Sequence, residues 1–300
     1  MQNREIDIIG VQTDLGASKR GVNMGPMAMR YGGLCEGIRE LGYNIYDLGD
    51  IFPMATGESK ATMRNYQQVA DINRRLYNIV SESLEIRHFP IVLGGDHSIA
   101  AGSISAVAKY YANRGGIGII WMDAHGDWND PESSPSGNMH GMPFSAVCGY
   151  GPACMVDYGQ HPVYVDPAHC VQIGGRNIDG KERLRMKQAG ITVFSINTID
   201  RLGMDIVMQR AIEIAGKETA GIYLSFDIDV ITPEVAPGTG TVVHGGLTAR
   251  EAFLAAEALA ESGQLVSLDM VEINPIFDEC NKTGILASEL IQSAMGKSVY

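Results

Sequence analysis

The stretch "GIGIIWMDAHGDWND", Gly116 to Asp130, decides how the rest of the chain is read. Its first half, from Ile117 to Met122, is apolar without interruption rather than alternately apolar and polar, the pattern of a strand buried on both faces of a parallel sheet. Its second half places Asp123, His125 and Asp127 at alternate positions. Charged groups leaving a hydrophobic strand cost free energy unless something pairs with them. Capping and surface solvation would answer that cost, and so would a bound cation.

Outward from this stretch the chain alternates strands and helices from end to end. Short apolar runs predict strands near 6–11, 43–49, 90–95, 116–124, 169–175, 191–196, 221–229 and 265–274. Helical patterns lie between them, among them Ala61–Arg87, Ser98–Asn113, Thr198–Ala215 and Thr248–Glu261. Continuous strand apolarity predicts a parallel sheet covered on both faces, and eight strand–helix units fit an open doubly wound sheet or a closed barrel. No linker, repeat or low-complexity tract interrupts the pattern, which predicts one catalytic domain over residues 1–300. The Pro/Gly/Ser-rich loop Asn129–Asn138 is flanked by apolar elements and reads as an active-site loop, not a boundary.

Composition narrows the class. With 300 residues, 45% hydrophobic and 19% charged, the chain suits a globular protein with a sizeable core. A net charge of -12 disfavours nucleic acid, which needs a basic surface, and an anionic membrane surface likewise. No apolar segment is long enough to span a bilayer. The five cysteines are widely scattered, form no CxxC pair, and predict free thiols in a reducing compartment. The N-terminus is polar before its first apolar run, unlike a signal peptide, so a cytoplasmic location is expected.

The polar residues fall on this map in one place. "GGDHS" (Gly94–Ser98) follows the third strand, "DAHGD" ends the fourth, "DID" (Asp227–Asp229) ends the seventh and Glu272 ends the eighth. All lie at carboxyl ends of strands, where parallel α/β folds place their ligand crevice. Strand alternation would point Asp123 and His125 to one face, and Asp227 and Asp229 likewise. With His97 and Asp127 they make two imidazoles and four carboxylates without a thiolate, too many anions to stay ionised together without cations. Two divalent ions sharing bridging carboxylates would satisfy them, and oxygen-rich ligation with some imidazole suits Mn²⁺. Taken singly, a DxD after a strand is most often a cap, and a lone histidine such as His88, His161 or His169 is ordinarily structural. The Met-rich segment "GMDIVMQRAI" reads as core, and neither "VLGGDHS" nor "VQIGGRN" matches a nucleotide-binding glycine motif.

These motifs, "GGDHS", "MDAHGDWN", "SGNMHGMP", "SFDID" and "VEINP", resemble the binuclear manganese ureohydrolases, arginases most closely. The resemblance runs in order along nearly the whole chain, including "RGVNMGPMAMRYGGL" and "NPIFDECNKT". It implies a three-layer α/β/α fold with an open, eight-stranded, mainly parallel sheet, two Mn²⁺ per subunit and a homotrimer or homohexamer. One ion would be held by His97, Asp123, Asp127 and Asp227, the other by Asp123, His125, Asp227 and Asp229. His140 matches the proton-shuttling histidine and Glu272 the guanidinium-binding carboxylate. With Asp127, they are the candidate catalytic residues. The chemistry is coherent by itself: a guanidinium is a poor electrophile, and metal-bound water supplies hydroxide at neutral pH. Glu272 can hold the planar cation by paired hydrogen bonds, and His140 can protonate the departing amine.

Arginases use the loop that carries Asn129, Ser134 and Ser136 here to contact an α-carboxylate, and "GGRNIDGKE" resembles the segment whose Asp, here Asp179, contacts an α-amino group. The resemblance therefore favours L-arginine, cleaved to urea and L-ornithine, over agmatine or another guanidino acid. Ordinary turn chemistry would also explain these Asn and Ser residues. The chain departs from the family pattern at Trp128, Asp130, Val230, Thr232 and His244, which bears on pocket shape but on no proposed ligand. A mononuclear deacetylase would not need the complete second site, and a non-catalytic binding protein would be expected to have lost a ligand or His140.

Overall fold

The structure is a computed structural model and describes residues 5–159 and 161–298. Within these residues eight strands form one sheet: β1 Glu5–Val11, β2 Asn44–Ile51, β3 Phe89–Gly94, β4 Gly118–Met122, β5 Cys170–Ile173, β6 Thr192–Phe194, β7 Ile222–Asp227 and β8 Leu265–Val271. Their order is β2-β1-β3-β8-β7-β4-β5-β6, and every neighbouring pair runs parallel. The sheet is open, so the barrel alternative left by periodicity is excluded.

Among the described residues ten α-helices cover it: α1 Gly25–Tyr31, α2 Leu34–Glu40, α3 Tyr66–Glu85, α4 Ala100–Tyr111, α5 Pro143–Val147, α6 Gly180–Ala189, α7 Ile196–Leu202, α8 Met204–Gly216, α9 Ala249–Ser262 and α10 Lys282–Ala294. Strand side chains alternate between two cores. Ile120 and Met122 of β4 join Leu224 and Phe226 of β7 beneath α1, α2 and α7–α10, whereas Ile119, Trp121 and Tyr223 face α3–α6. These are the three layers, each apolar stripe buried against one face of the sheet. In α3 the stripe is Val69, Ile72, Leu76, Val80 and Leu84. Asn73, buried on the same helix, donates to the Ser98 carbonyl and accepts the Gly102 amide, tying α3 to the turn after β3.

Two elements differ from the sequence reading. The segment near 43–49 is not a strand buried on both faces: Asn44 to Asp50 of β2 are largely exposed, because β2 is an edge strand paired only with β1. The expected helix Thr198–Ala215 is two helices that meet at Gly203, whose φ of 79° is left-handed and ends α7. The Met-rich segment does bury Met204, Val207, Met208 and Ala211 as core.

Close packing fixes where β4 delivers its loop. Gly118 lies so near the Ala215 carbonyl of α8 that a Cβ would overlap it. Gly118→Ala should therefore force α8 away and destabilise the fold by roughly 1–3 kcal/mol, read as a lower urea midpoint at unchanged slope. A midpoint equal to that of the unchanged protein would show that α8 moves freely. Among the described residues no helix is long and apolar enough to cross a membrane, and all five cysteines are free thiols.

Candidate metal centre and substrate cavity

The central strands β3, β8, β7 and β4 are adjacent, and their carboxyl ends deliver His97, Glu272, Asp227 and Asp123 to one rim. Asp96 starts the short turn after β3 by accepting the Ser98 amide at 3.1 Å, which turns His97 inward. The His97 ring is fully buried and stacks on Trp121 at 4.1 Å between centroids. Its Nε2 lies 2.8 Å from Ser225 Oγ, and that hydroxyl donates to Asp269 at 2.7 Å. With its proton committed to Asp269, the hydroxyl can only accept, so Nε2 donates to it and Nδ1 is the ring nitrogen turned to the carboxylates. Nδ1 faces Asp127 at 3.1 Å, Asp123 at 3.3 Å and Asp227 at 3.4 Å.

His125 is placed by the same carboxylates: its Nδ1 lies 3.0 Å from Asp229 and 3.3 Å from Asp123. Strand alternation is not the reason. β4 ends at Met122, so Asp123 to Asp127 occupy the loop beyond it, and Asp229 lies in a short 3-10 turn after β7. Local hydrogen bonds hold the groups instead. Asp123 accepts the Trp121 indole N–H and the His125 amide, Asp227 accepts the Asp229 amide, and Asp229 accepts the Ala124 amide.

The electrostatics are those of an uncompensated anionic nest. Burial, then Asp229 and Asp123, push the Asp227 carboxyl well above its ordinary range, and burial with Asp123 raises Asp127 to about 6. Against the effect of burial, the carboxylates push His97 and His125 well above the usual imidazole value. Nδ1 of His97, Nε2 of His125 and Oδ2 of Asp229 are buried without a hydrogen-bond partner. Unsatisfied buried donor and acceptor atoms of this kind are costly, and cations among them would remove the cost. His97, Asp123 and Asp127 form one compact group of ligand-type atoms within 4.8 Å of one another, and Asp123, His125 and Asp229 form a second. Asp123 belongs to both. Asp227 lies outside these two compact groups and touches the first through His97.

Above this floor sits His140, on the 3-10 turn Met139–Gly141, its amide donating to Gly16. Its Nδ1 lies 2.9 Å from Oε1 of Glu272, which also accepts the His97 amide at 2.9 Å. Burial lowers the His140 pKa and the Glu272 carboxylate raises it, the net result being about 9. Glu272 sits at φ 64° just past β8, and its second oxygen, Oε2, is buried without a partner. A backbone strained in this way at a functional rim is a common cost of aiming one side chain.

The cavity over these groups has a volume of about 300 Å³ and is lined by Asn129, Ser134, Ser136 and Asp179 as well as by His125, Asp127, His140, Asp227 and Asp229. His97, Asp123 and Glu272 lie beneath it, buried. Ser134 and Ser136 accept the amides of Gly137 and Asn138, which leaves their hydroxyl protons free to donate. Sequence reasoning missed Glu182, which also lines the cavity: it accepts the Trp128 amide at 2.8 Å and the Asp179 amide at 3.3 Å. Burial, opposed by the Trp128 amide, raises its carboxyl to about 8. The available signal was the D-x-x-E spacing of "DGKE", a helix-start pattern in which Glu182 stands three residues after Asp179. Asn138 and Asn177, which lie within "SGNMHGMP" and "GGRNIDGKE", line the cavity too, as does Thr241.

Of the departures from the family pattern, Trp128 packs edge-on against Phe144 in the core, and Val230 is buried. His244 points to solvent beside Glu234, and the Thr232 amide donates to Leu247. None of these four is among the described cavity-lining residues. Asp130 is paired with Arg185 at 2.7 Å.

A profile of the arginase family matches residues 4–296. The arginase of Bacillus caldovelox is 44% identical over 99% of both chains, and its native structure superposes with a TM-score of 0.95 over 99% of this chain and all of that one. The arginase of Bacillus subtilis is 42% identical over 99% of each chain. A structure of Entamoeba histolytica arginase in complex with L-ornithine is 31% identical, with a TM-score of 0.89 over 99% of this chain and all of that one.

Proposed function

Because the chain belongs to the arginase family and is a hydrolase of that family, we propose that it cleaves the guanidino group of L-arginine to urea and L-ornithine. The observation that carries this reading is that one cavity brings together a carboxylate-rich floor and a loop of neutral donors. Its floor is carboxylate-rich and suited to a cationic head, while the Asn129–Asn138 side offers neutral donors suited to a carboxylate tail. Asp179 lines the same cavity and would meet an α-ammonium group.

The donor set, two imidazoles and four carboxylates, fits two divalent ions held by His97, Asp123, Asp127 and Asp227 and by Asp123, His125, Asp227 and Asp229, and we read them as Mn²⁺. The chemistry such a pair supplies when bound is a strong oxygen nucleophile at neutral pH together with charge stabilisation. The chain's own residues do the rest. Asp127 fixes His97 from the cavity side. The free Oε2 of Glu272 accepts from the guanidinium, fixing its plane over the floor. Glu272 Oε1 keeps the His140 imidazole protonated, so His140 arrives loaded with the proton that the departing amine needs. Cations on the floor would pull that pKa down towards neutrality, where proton transfer is most effective.

This reading takes the chain as one catalytic domain, a cytoplasmic homotrimer or homohexamer whose small-molecule partner is the guanidino substrate, with neither nucleic acid nor membrane as partner. The test of substrate is kcat/KM for arginine and agmatine, measured as urea release with Mn²⁺ added. Arginine should lead by about 10²-fold or more, because donors built for a carboxylate are left unpaired by an analogue that lacks one. An equal rate, or a lead for agmatine, would reduce the assignment to an unspecified guanidino hydrolase.

A further inference from the structure

The Asn129–Asp130 pair sits in a hydrogen-bond chain that reaches from the cavity to α6. Asn129 lines the cavity, and its amide group could face it with either the oxygen or the nitrogen. The surrounding bonds remove that freedom. The Asp130 amide donates to Ser133 Oγ at 2.9 Å, so the Ser133 hydroxyl must send its own proton elsewhere. It sends it to Oδ1 of Asn129, 2.9 Å away. With Oδ1 occupied, the N–H groups of Nδ2 remain for the cavity.

Ser133 is in turn held by Asp130, whose Oδ1 accepts the amides of Ser133 at 2.7 Å and Glu132 at 2.9 Å. The other carboxylate oxygen of Asp130 meets Arg185 Nη1 at 2.7 Å, and Arg185 Nη2 is anchored on the Tyr150 carbonyl at 2.9 Å. Arg185 stands one turn along α6 from Glu182, which grips the Trp128 amide. The segment that offers donors for a carboxylate is therefore fastened to the helix that follows Asp179, and Asp130, a negative charge beside a carboxylate-reading loop, is neutralised.

We propose that Asp130, Ser133 and Arg185 form a specificity-setting brace that aims the Asn129 N–H groups at the α-carboxylate of the substrate, so that the enzyme favours α-amino acids over decarboxylated guanidines. The three residues touch no reacting atom and act through Asn129. The inference rests on the arginine reading above and deepens it.

Ser133→Ala and Arg185→Ala separate this role from a general structural one. In Ser133→Ala the Asn129 amide is free to turn, and KM for arginine should rise about 5- to 10-fold with kcat within about twofold, the size of one lost hydrogen bond. Agmatine, which has no carboxylate, should keep its kcat/KM, or its competitive inhibition constant where turnover is slow, within about twofold. In Arg185→Ala the unpaired Asp130 should repel arginine by a similar factor, and adding Asp130→Asn should recover most of it, because an amide oxygen still accepts from Ser133 and Glu132. Equal losses for both ligands, unchanged arginine KM in Ser133→Ala, or no recovery in the double variant would overturn the brace. Equal use of arginine and agmatine by the unchanged enzyme would instead remove the arginine reading, before any variant is made.

Discussion

Asp123→Asn is expected to abolish urea release and to strip at least one of the two proposed ions. Asp123 is shared by both compact ligand groups, and its two oxygens do different work: Oδ2 faces His97 and accepts a hydrogen bond from the Trp121 indole N–H, while Oδ1 faces His125. An amide offers one oxygen where the carboxylate offers two, and it removes a negative charge that balances the cations. Its N–H group would also oppose either the indole donor or a cation. The loss in kcat should be roughly 10³-fold or more, since the electrostatic contribution of bound ions amounts to several kcal/mol. Elemental analysis of dialysed protein reads the ion content, and circular dichroism checks that the sheet has formed. Two tightly held ions with ordinary turnover in this variant would falsify the shared-carboxylate centre.

His140→Asn separates proton transfer from metal binding. The His140 ring contacts Glu272, which takes the His97 amide but offers the proposed ions no ligand here. The variant should keep its full metal content and the arginine KM within a few-fold. Turnover should fall by roughly 10²–10⁴-fold, the range for a general acid–base group. Exogenous imidazole is expected to restore part of the rate, because the vacated space opens on the cavity. Metal loss in this variant would make His140 a ligand, and turnover close to that of the unchanged enzyme would assign the proton to another group.

The parts of this centre that were legible in the sequence are those where chemistry and fold give the same signal. Continuous apolarity in "GIIWM" identifies a central strand, and acidic or imidazole residues immediately after such a strand fall at the rim in any parallel α/β protein. All eight strands follow from this pattern. It overstated the burial of β2, because an edge strand looks like a central one until its neighbours are known. Gly203 shows a second limit: glycine within a helical pattern is sometimes tolerated and sometimes a stop, and tertiary packing decides which. At the site, His97, Asp123, His125, Asp127, Asp227 and Asp229 converge because they end or follow central strands, not because strand side chains alternate: Asp227 closes β7, and the other five stand on loops and turns. Glu182 and Arg185 could not be weighed in advance. Their importance depends on which face of α6 meets Trp128 and Asp130, a relation between segments more than fifty positions apart.

The position of β8 has a consequence for biosynthesis. It is the last of the eight described strands to be made, yet it is hydrogen-bonded in the middle of the sheet, between β3 and β7. A nascent chain that has not released residues 265–271 from the ribosome can assemble only two partial sheets, β2-β1-β3 and β7-β4-β5-β6. Each would present a bare apolar strand edge to the other, and such edges recruit foreign strands. Glu272 emerges after β8, so the rim is incomplete until residue 272 has left the ribosome. A C-terminal truncation that removes this strand would therefore yield an aggregating translation product instead of a weakened enzyme.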